Sequence, residues 1–435
     1  MNTYVFDSST KSKLIKAFLV GLVLFIIGVA IHWNDGKQVN THTENTTAVA
    51  AAHGSAVEHH EATAEGHHVQ PTLKTLIVAN TYNVFYFGFY IALAALFFLA
   101  ATNVAWGGWH IQIQKIPLAI SVNIALFLFL LIIMFIFFNH DIFHWTHEEL
   151  FVKGSPTYDK VLDVKSDFLN LKTFWVFTII ITLLCLGMAY KWWNTLNLMD
   201  TNPTRKLFST SRVIGGITIV VIAFIINTFA TWFWSMSIQP HWYSTMFTWN
   251  TMAGASLMLL AVVLLFIHYL KSKGYLPNVN ENHKHDVAKL MFAISIFWCY
   301  TWFAQYMLIW YSNLPEETEY FRLRRSIDNY GILFHLSFIL NFVMPFLILL
   351  SRGAKRNDKV TIVASIIVIV GQFSEFFLMN CPALLPKGGY GIISFGLLFM
   401  IGSVFVYLTL TMLSKVKDLA STTHPYVKES YNHHI

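Results

Sequence analysis

The sequence predicts an all-α integral membrane protein with ten transmembrane helices. Three observations predict it. The 435 residues are 55% apolar and only 12% charged, against about 45–50% and about 25% in soluble domains. Mean hydropathy is +0.53. The apolar residues fall into runs of the roughly 20 residues that a bilayer core requires. This balance excludes an ordinary soluble enzyme and a disordered or collagen-like chain. Aromatics reach 16%, with 38 Phe and 14 Trp, as lipid-facing surfaces and interfacial belts demand. The net charge of +6 does not point to nucleic acid, because the basic residues sit in short connections between apolar runs.

The ten runs are 14–33, 76–105, 116–138, 172–193, 213–236, 244–270, 288–312, 328–350, 360–379 and 390–413. Strands of a membrane barrel are about 10 residues and alternate in polarity, so these runs are helices. The first follows Lys11, Lys13 and Lys16 and continues through His32 and Trp33 with no A-x-A site. It reads as an uncleaved helix rather than a signal peptide. If the N-terminus is cytoplasmic, 19 of the 29 Lys and Arg residues fall on the inner side. The positive-inside rule then places both termini in the cytoplasm. Chain organisation follows: an N-terminal helix to residue 33, an outer His-rich loop 34–74, four helices over 75–236, four over 237–380, and a last helix with its tail over 381–435.

A shift of 161 residues lays the second span on the sixth. It matches Tyr82 with Tyr243, Ala92 with Ala253, Ala94 with Ala255, Leu96 with Leu257, Leu99 with Leu260 and Ala100 with Ala261. This weak repeat fits two four-helix bundles, helices two to five and six to nine, with helices one and ten flanking them.

Three outer connections stand out. The loop 34–74 carries His42, His53, His59, His60, His67 and His68 among Thr, Ala and Glu. Such a tract is either a solvated loop or a loose metal binder. Residues 139–171 and 313–327 mix aromatics with clustered charges. Both read as docking surfaces against extramembrane partners.

Ionisable residues at membrane depth cost about 2.5–3.5 kcal/mol each at mid-helix, so each is a functional candidate. On the eighth span Asp328 and His335 are two turns apart on one expected face. On the ninth, Gln372 and Glu375 share a face at i, i+3. On the seventh, Trp302, Gln305 and Tyr306 form a stripe. A carboxyl out of water favours its neutral form and can hold a proton, and a nearby imidazole can pass it on. The pattern therefore reads as a proton relay in which Glu375 and His335 face one another. The competing readings are a polar cluster that fixes helix packing and a contact for a quinone headgroup.

Toward the inner side stand Arg212, His268 and Asn123. Arg212 and His268 suit snorkelling to the interface. Asn227 and Thr231 share a face of the fifth span and could link the two sides through water. His140 and His144, with Asp141 between them, sit at i, i+4 if the third helix continues. That spacing suits a polar lip for a quinone, and no third ligand supports a metal. The three cysteines, Cys185, Cys299 and Cys381, are far apart, and no CxxC or CxxCH occurs. No covalent haem, iron–sulphur cluster or metal is expected in this chain. The interior histidines are too few for a haem-copper centre.

Two segments go beyond composition. Trp234-Ser-Met-Ser-Ile-Gln-Pro-His-Trp-Tyr-Ser-Thr245 joins the fifth and sixth spans, and Ile309-Trp-Tyr-Ser-Asn-Leu-Pro-Glu-Glu317 ends the seventh. Both closely resemble the F-type membrane subunit of bacterial alternative complex III, in the NrfD-like (polysulphide-reductase membrane subunit) group. The likeness extends to the loop 139–171 and the ten-span layout, and so covers most of the chain after residue 75. The His-rich loop is outside it. The resemblance implies two four-helix bundles with flanking helices, in a bacterial inner membrane. It implies a subunit with no cofactor of its own in a respiratory complex that oxidises menaquinol or another quinol. Electrons would leave through iron–sulphur clusters and c-type haems of partner subunits, to a cytochrome or a haem-copper terminal oxidase. Expected partners are the C-type quinol-oxidising paralogue, the iron–sulphur subunit, cytochrome c subunits, small membrane subunits and lipids. The F-type subunit is described both as a second quinone-binding subunit and as a proton path, so catalysis by this chain alone is not expected. A purely structural scaffold in the same complex is the rival reading. A standalone metal or solute transporter is a poorer one, because Pro345 is the only interior proline and broken midplane helices are not evident.

The sequence departs from that family where relatives carry an acid. Phe233 stands before the Trp of the helix-five motif, and Gln239 before its Pro-His. If acids there release protons in relatives, His241 and Glu375 become the outer-side groups here.

Overall fold

The computed structural model describes residues 3–50, 72–386 and 388–434, with backbone alone for 34–50 and 316. The side chains of the His-rich tract therefore lie outside the described residues. Among the described residues ten helices are long and apolar enough to cross a membrane, and there is no strand. The first, α1, runs Ser8–Ala50, with its apolar part at Ser8–Trp33. The others are α2 (Leu73–Val104), α3 (Lys115–Ile142), α4 (Leu171–Thr201), α5 (Arg205–Ile238) and α6 (Thr245–Ser272). They continue with α7 (Glu281–Ser312), α8 (Gly331–Ile348), α9 (Asp358–Asn380) and α10 (Ile392–Lys415). The fold class is thus that of a multi-pass helical membrane protein.

Four helices begin several residues before their apolar runs, at Ser8, Leu73, Arg205 and Glu281, and polar caps start the last three. Thr72, Asn170, Thr204 and Asn357 each accept a hydrogen bond from a backbone N–H of the first turn. Asn280 and His283 close a capping box at the start of α7. Such caps satisfy donors that a helix end leaves free. α8 begins late, three residues into its run. Gly331 N–H donates to Ser326 O at 2.8 Å, and a Cβ on Gly331 would stand 2.7 Å from Arg325 O. This tight turn delays the helix, so Asp328 precedes it and is exposed.

Packing centres on α2 and α6, which lie against each other. Around α2 stand α3, α5 and α10, and around α6 stand α7 and α9. α1 lies along α10, where Gly21 and Gly396 let the backbones meet: a Cβ on Gly21 would be 2.7 Å from Met400 N. Small residues allow such close approach where no water drives association. Among the described residues two helices carry π-helical segments, Val221–Ile226 in α5 and Ile339–Val343 in α8. Segments of this kind recur at functional sites. The helix α3 breaks at Asn123, whose amide donates to Ile120 O (3.1 Å) and Thr409 Oγ1 (2.9 Å).

The two termini meet at one end of the bundle, called here the terminal end. Tyr4 bonds Tyr269 at 3.1 Å, and Asn280 Nδ2 donates to His433 O at 2.9 Å. The tail crosses this end as a strap. Gln112 Nε2 donates to Ser421 O (3.2 Å), Ser421 to Asp200 (3.0 Å), and Ser430 to Trp109 O (3.1 Å). His433 Nε2 sits 2.6 Å from Asp286. At the far end the loop between α3 and α4 docks on the turn between α5 and α6, through Lys165 Nζ on Pro240 O and His241 on Asp159, both 2.5 Å.

Candidate functional site

The α9 face that meets α6 and α8 carries Thr361, Ser365, Val368, Gln372 and Glu375, spaced by four and three residues. That spacing keeps all five on one stripe. The stripe rises about 21 Å from Thr361 to Glu375 at about 1.5 Å per residue. All five are buried.

At the far end of the stripe, Glu375 accepts from Ser337 Oγ at 2.7 Å. Ser337 in turn accepts from Asn341 Nδ2 at 3.2 Å. Asn341 lies in the π segment of α8, and its Oδ1 has no hydrogen-bond partner. Asn250 of α6 also lies beside Glu375 and accepts from Thr301 Oγ1 of α7 at 3.0 Å. α6 and α8 thus place polar groups on the α9 carboxyl, with α7 bonded to it one step further out through Asn250.

Gln372, one turn along, is fully buried, and neither atom of its amide finds a partner. It fits because α6 has no side chain opposite it: a Cβ on Gly254 would lie 2.4 Å from Gln372 Oε1. The same Cβ would lie 3.5 Å from Trp298 Cδ1, and Trp298 Nε1 is also unpartnered. Leaving such a group unpaired in an apolar interior costs about 1–3 kcal/mol. Groups arranged this way are the ones ordered water satisfies.

Above Glu375 lies a buried cation. Arg324 donates to Leu378 O (2.6 Å), Met379 O (3.2 Å), Tyr320 O (2.8 Å) and Gln239 Oε1 (3.1 Å). Its guanidinium lies 3.4 Å from the centroid of the Tyr320 ring. Glu375 is among the groups whose charge Arg324 feels. Burial pushes the Tyr320 hydroxyl up to about 12, against the pull of Arg324. At the other end of the stripe, His268 Nε2 is hydrogen-bonded to Thr361 Oγ1 at 2.9 Å. Its Nδ1 lies 3.9 Å from Asp358, and Asp358 also bonds Lys284.

The structure places Glu375 and Gln372 on this one stripe and sets His268 of α6 against its Thr361 end. Gln305 is buried on α7. Tyr306 stacks on Trp302 with centroids 5.8 Å apart and accepts from Arg325. The expected meeting of His335 with Glu375 does not form. Ser337 faces the carboxyl, and a residue two places away on a helix points to the opposite side. His335 is exposed, with Nδ1 donating to Gly331 O at 2.6 Å. Asp328, off the helix, shares no face with it.

The remaining candidates lie elsewhere. Asn227 links three helices, accepting from Tyr90 (3.3 Å) and donating to Thr248 O (3.0 Å). Thr231 bonds the same tyrosine at 2.7 Å. Arg212 lies over Trp106 (4.3 Å) and Phe208 (5.0 Å) at the terminal end. His241 holds Asp159: burial pushes that carboxyl up, and the hydrogen bonds from His241 and two backbone N–H groups bring it below its usual value. The third helix stops at Ile142, so His140 and His144 are not one helical turn apart. His140 bonds Thr146 (3.1 Å), and Asp141 pairs with Lys74 (2.8 Å). Among the described residues no group of three His, Cys, Asp or Glu side chains could hold a metal.

Sequence reasoning missed Arg324, Ser337, Asn341, Asn250 and Thr301. Ser337 and Asn341 were findable as an i, i+4 polar pair in an apolar run. It also missed Lys115 and Asp200, paired at 2.6 Å and both almost wholly buried.

The fold and this site define a class: a multi-pass helical membrane protein with a buried, polar-lined carboxyl among its helices. Comparison with protein-family models and with curated proteins finds no match for the chain.

Proposed function

We propose that this chain is a membrane subunit, without cofactors of its own, of a quinol-oxidising respiratory complex of the alternative-complex-III kind. We place it in a bacterial inner membrane with both termini in the cytoplasm and two four-helix bundles, α2–α5 and α6–α9. The resemblance of residues 234–245 and 309–317 to the F-type subunit supports this reading, as does the excess of Lys and Arg on the terminal side. Its role there is to support the quinol-oxidising paralogue and to carry protons. The loops 139–171 and 313–327 meet the cluster- and haem-bearing partners on the periplasmic side.

The observation that carries the proton role is Glu375 itself. It is a buried carboxyl within hydrogen-bonding reach of Ser337 and Asn250, with the unpaired amide of Gln372 one turn away. Protons enter at His268 and Thr361 and move along the α9 stripe. Water bridges the apolar gap at Val368, whose flanking polar residues, Ser365 and Gln372, are about 10 Å apart along the axis. Glu375 takes up the proton in neutral form and releases it beside Arg324, whose positive charge resists a second cation. The test is Glu375→Gln in the complex reconstituted into vesicles. Quinol oxidation persists and fewer protons move per electron if Glu375 carries them. An unchanged ratio assigns the cluster to helix packing alone.

A further inference from the structure

At the far end a cavity of about 710 Å³ opens between the last turns of α7, the short helix Pro315–Arg325 and the start of α8. Its polar lining holds the cations Arg322 and Arg325 and the ring of His335, beside the uncharged Tyr306, Asn313, Thr318 and Ser326. Among the described residues no carboxylate pairs with either arginine. Among the described residues Arg325 donates to the Tyr306 hydroxyl at 2.5 Å. His335 commits Nδ1 to Gly331 O, and its Nε2 has no described partner. Paired guanidinium groups without a carboxylate match a phosphate, which accepts several charge-assisted hydrogen bonds at once.

The rim is apolar and bare. Trp310 is 60% exposed and Ile327 83%, and both line the cavity. Ile332 and Leu336, beside His335 on α8, are also exposed. α7 ends at Ser312 and α8 begins at Gly331, so the cavity sits where spanning helices leave the hydrocarbon. A soluble anion has no use for such a rim, whereas an amphiphile fills both parts.

We propose that this cavity binds the phosphate of an anionic phospholipid, held by Arg322 and Arg325, with its acyl chains lying along Trp310, Ile327 and α8. The site is independent of the proton route, since His335 faces away from Glu375. Lipid binding can therefore fail while that route stands.

The test uses the purified full-length chain, with lipid retention read by native mass spectrometry against phosphatidylglycerol, phosphatidylcholine and inorganic phosphate. Phosphatidylglycerol is retained in preference to phosphatidylcholine. The Arg322→Gln/Arg325→Gln chain loses at least about tenfold in that affinity, the loss expected from removing a charge-assisted hydrogen bond. The Arg322→Lys/Arg325→Lys chain keeps the preference for the anionic lipid. Should the double Gln chain not fold, Arg322→Gln alone, at an exposed position, gives the same readout. Equal retention of the two lipids, an unchanged preference in the Gln chains, or displacement of phosphatidylglycerol by an equal concentration of inorganic phosphate would overturn the proposal. So would a partner subunit's acidic side chain filling the cavity in the assembled complex.

Discussion

Gly254→Ala probes the interior of the proposed route most sharply. The new methyl would stand 2.4 Å from Gln372 Oε1 and 3.5 Å from Trp298 Cδ1. Carbon contacts settle at about 3.5–4.0 Å, so the amide must retreat by about 1 Å. Overpacking of this size costs about 1–3 kcal/mol. The atom that must move ends a flexible side chain, which puts the cost near the lower end. Alanine returns about 0.5–1 kcal/mol of helix propensity, leaving a net loss of at most about 0.5 kcal/mol. Gly187 on α4 has nothing within 4 Å of its Cβ position, so Gly187→Ala isolates the propensity gain and should stabilise. A double-mutant cycle of Gly254→Ala with Gln372→Ala, measured by thermal unfolding in detergent, should show a coupling of about 1 kcal/mol, because removing the amide removes the clash. Additive effects would mean that Gln372 does not lie against Gly254, and the packing argument would fail.

Other expectations follow from the terminal end. Lys115→Met alone should cost about 3–5 kcal/mol by stranding the buried Asp200 carboxylate, while Lys115→Met with Asp200→Leu should be close to neutral; urea unfolding of the two chains compares them. Burial pushes His110 and His424 down to about 4, so both are neutral when folded and charge more readily when unfolded. The stability they contribute is complete above about pH 6.5 and is lost as pH falls toward 4, by about 3 kcal/mol each. Hydrogen exchange in residues 416–434 should therefore accelerate over that window, and less steeply in His424→Phe.

Much of the architecture was legible. Ten apolar runs fixed ten helices, because a bilayer core dictates both their length and their composition. Glu375 and Gln372 were legible as polar residues in an apolar run whose i, i+3 spacing survived folding. His335 was misjudged because its face depends on where α8 starts, and the turn closed by Ser326 and Gly331 sets that three residues late. Arg324 was hidden for a different reason. The run Arg322-Leu-Arg-Arg325 offers three cations, and only packing on Tyr320 and the α9 carbonyls decides which turns inward. Lys115 and Asp200 are 85 residues apart, and no local pattern links them.

The most direct test of the central claim is the number of protons moved per electron by the reconstituted complex carrying Glu375→Gln. Glutamine keeps the shape of the side chain and can still accept from Ser337, but it cannot take up a proton. The account predicts an assembled complex with quinol oxidation intact and a lowered proton-to-electron ratio. A ratio equal to that of the unsubstituted complex would contradict it.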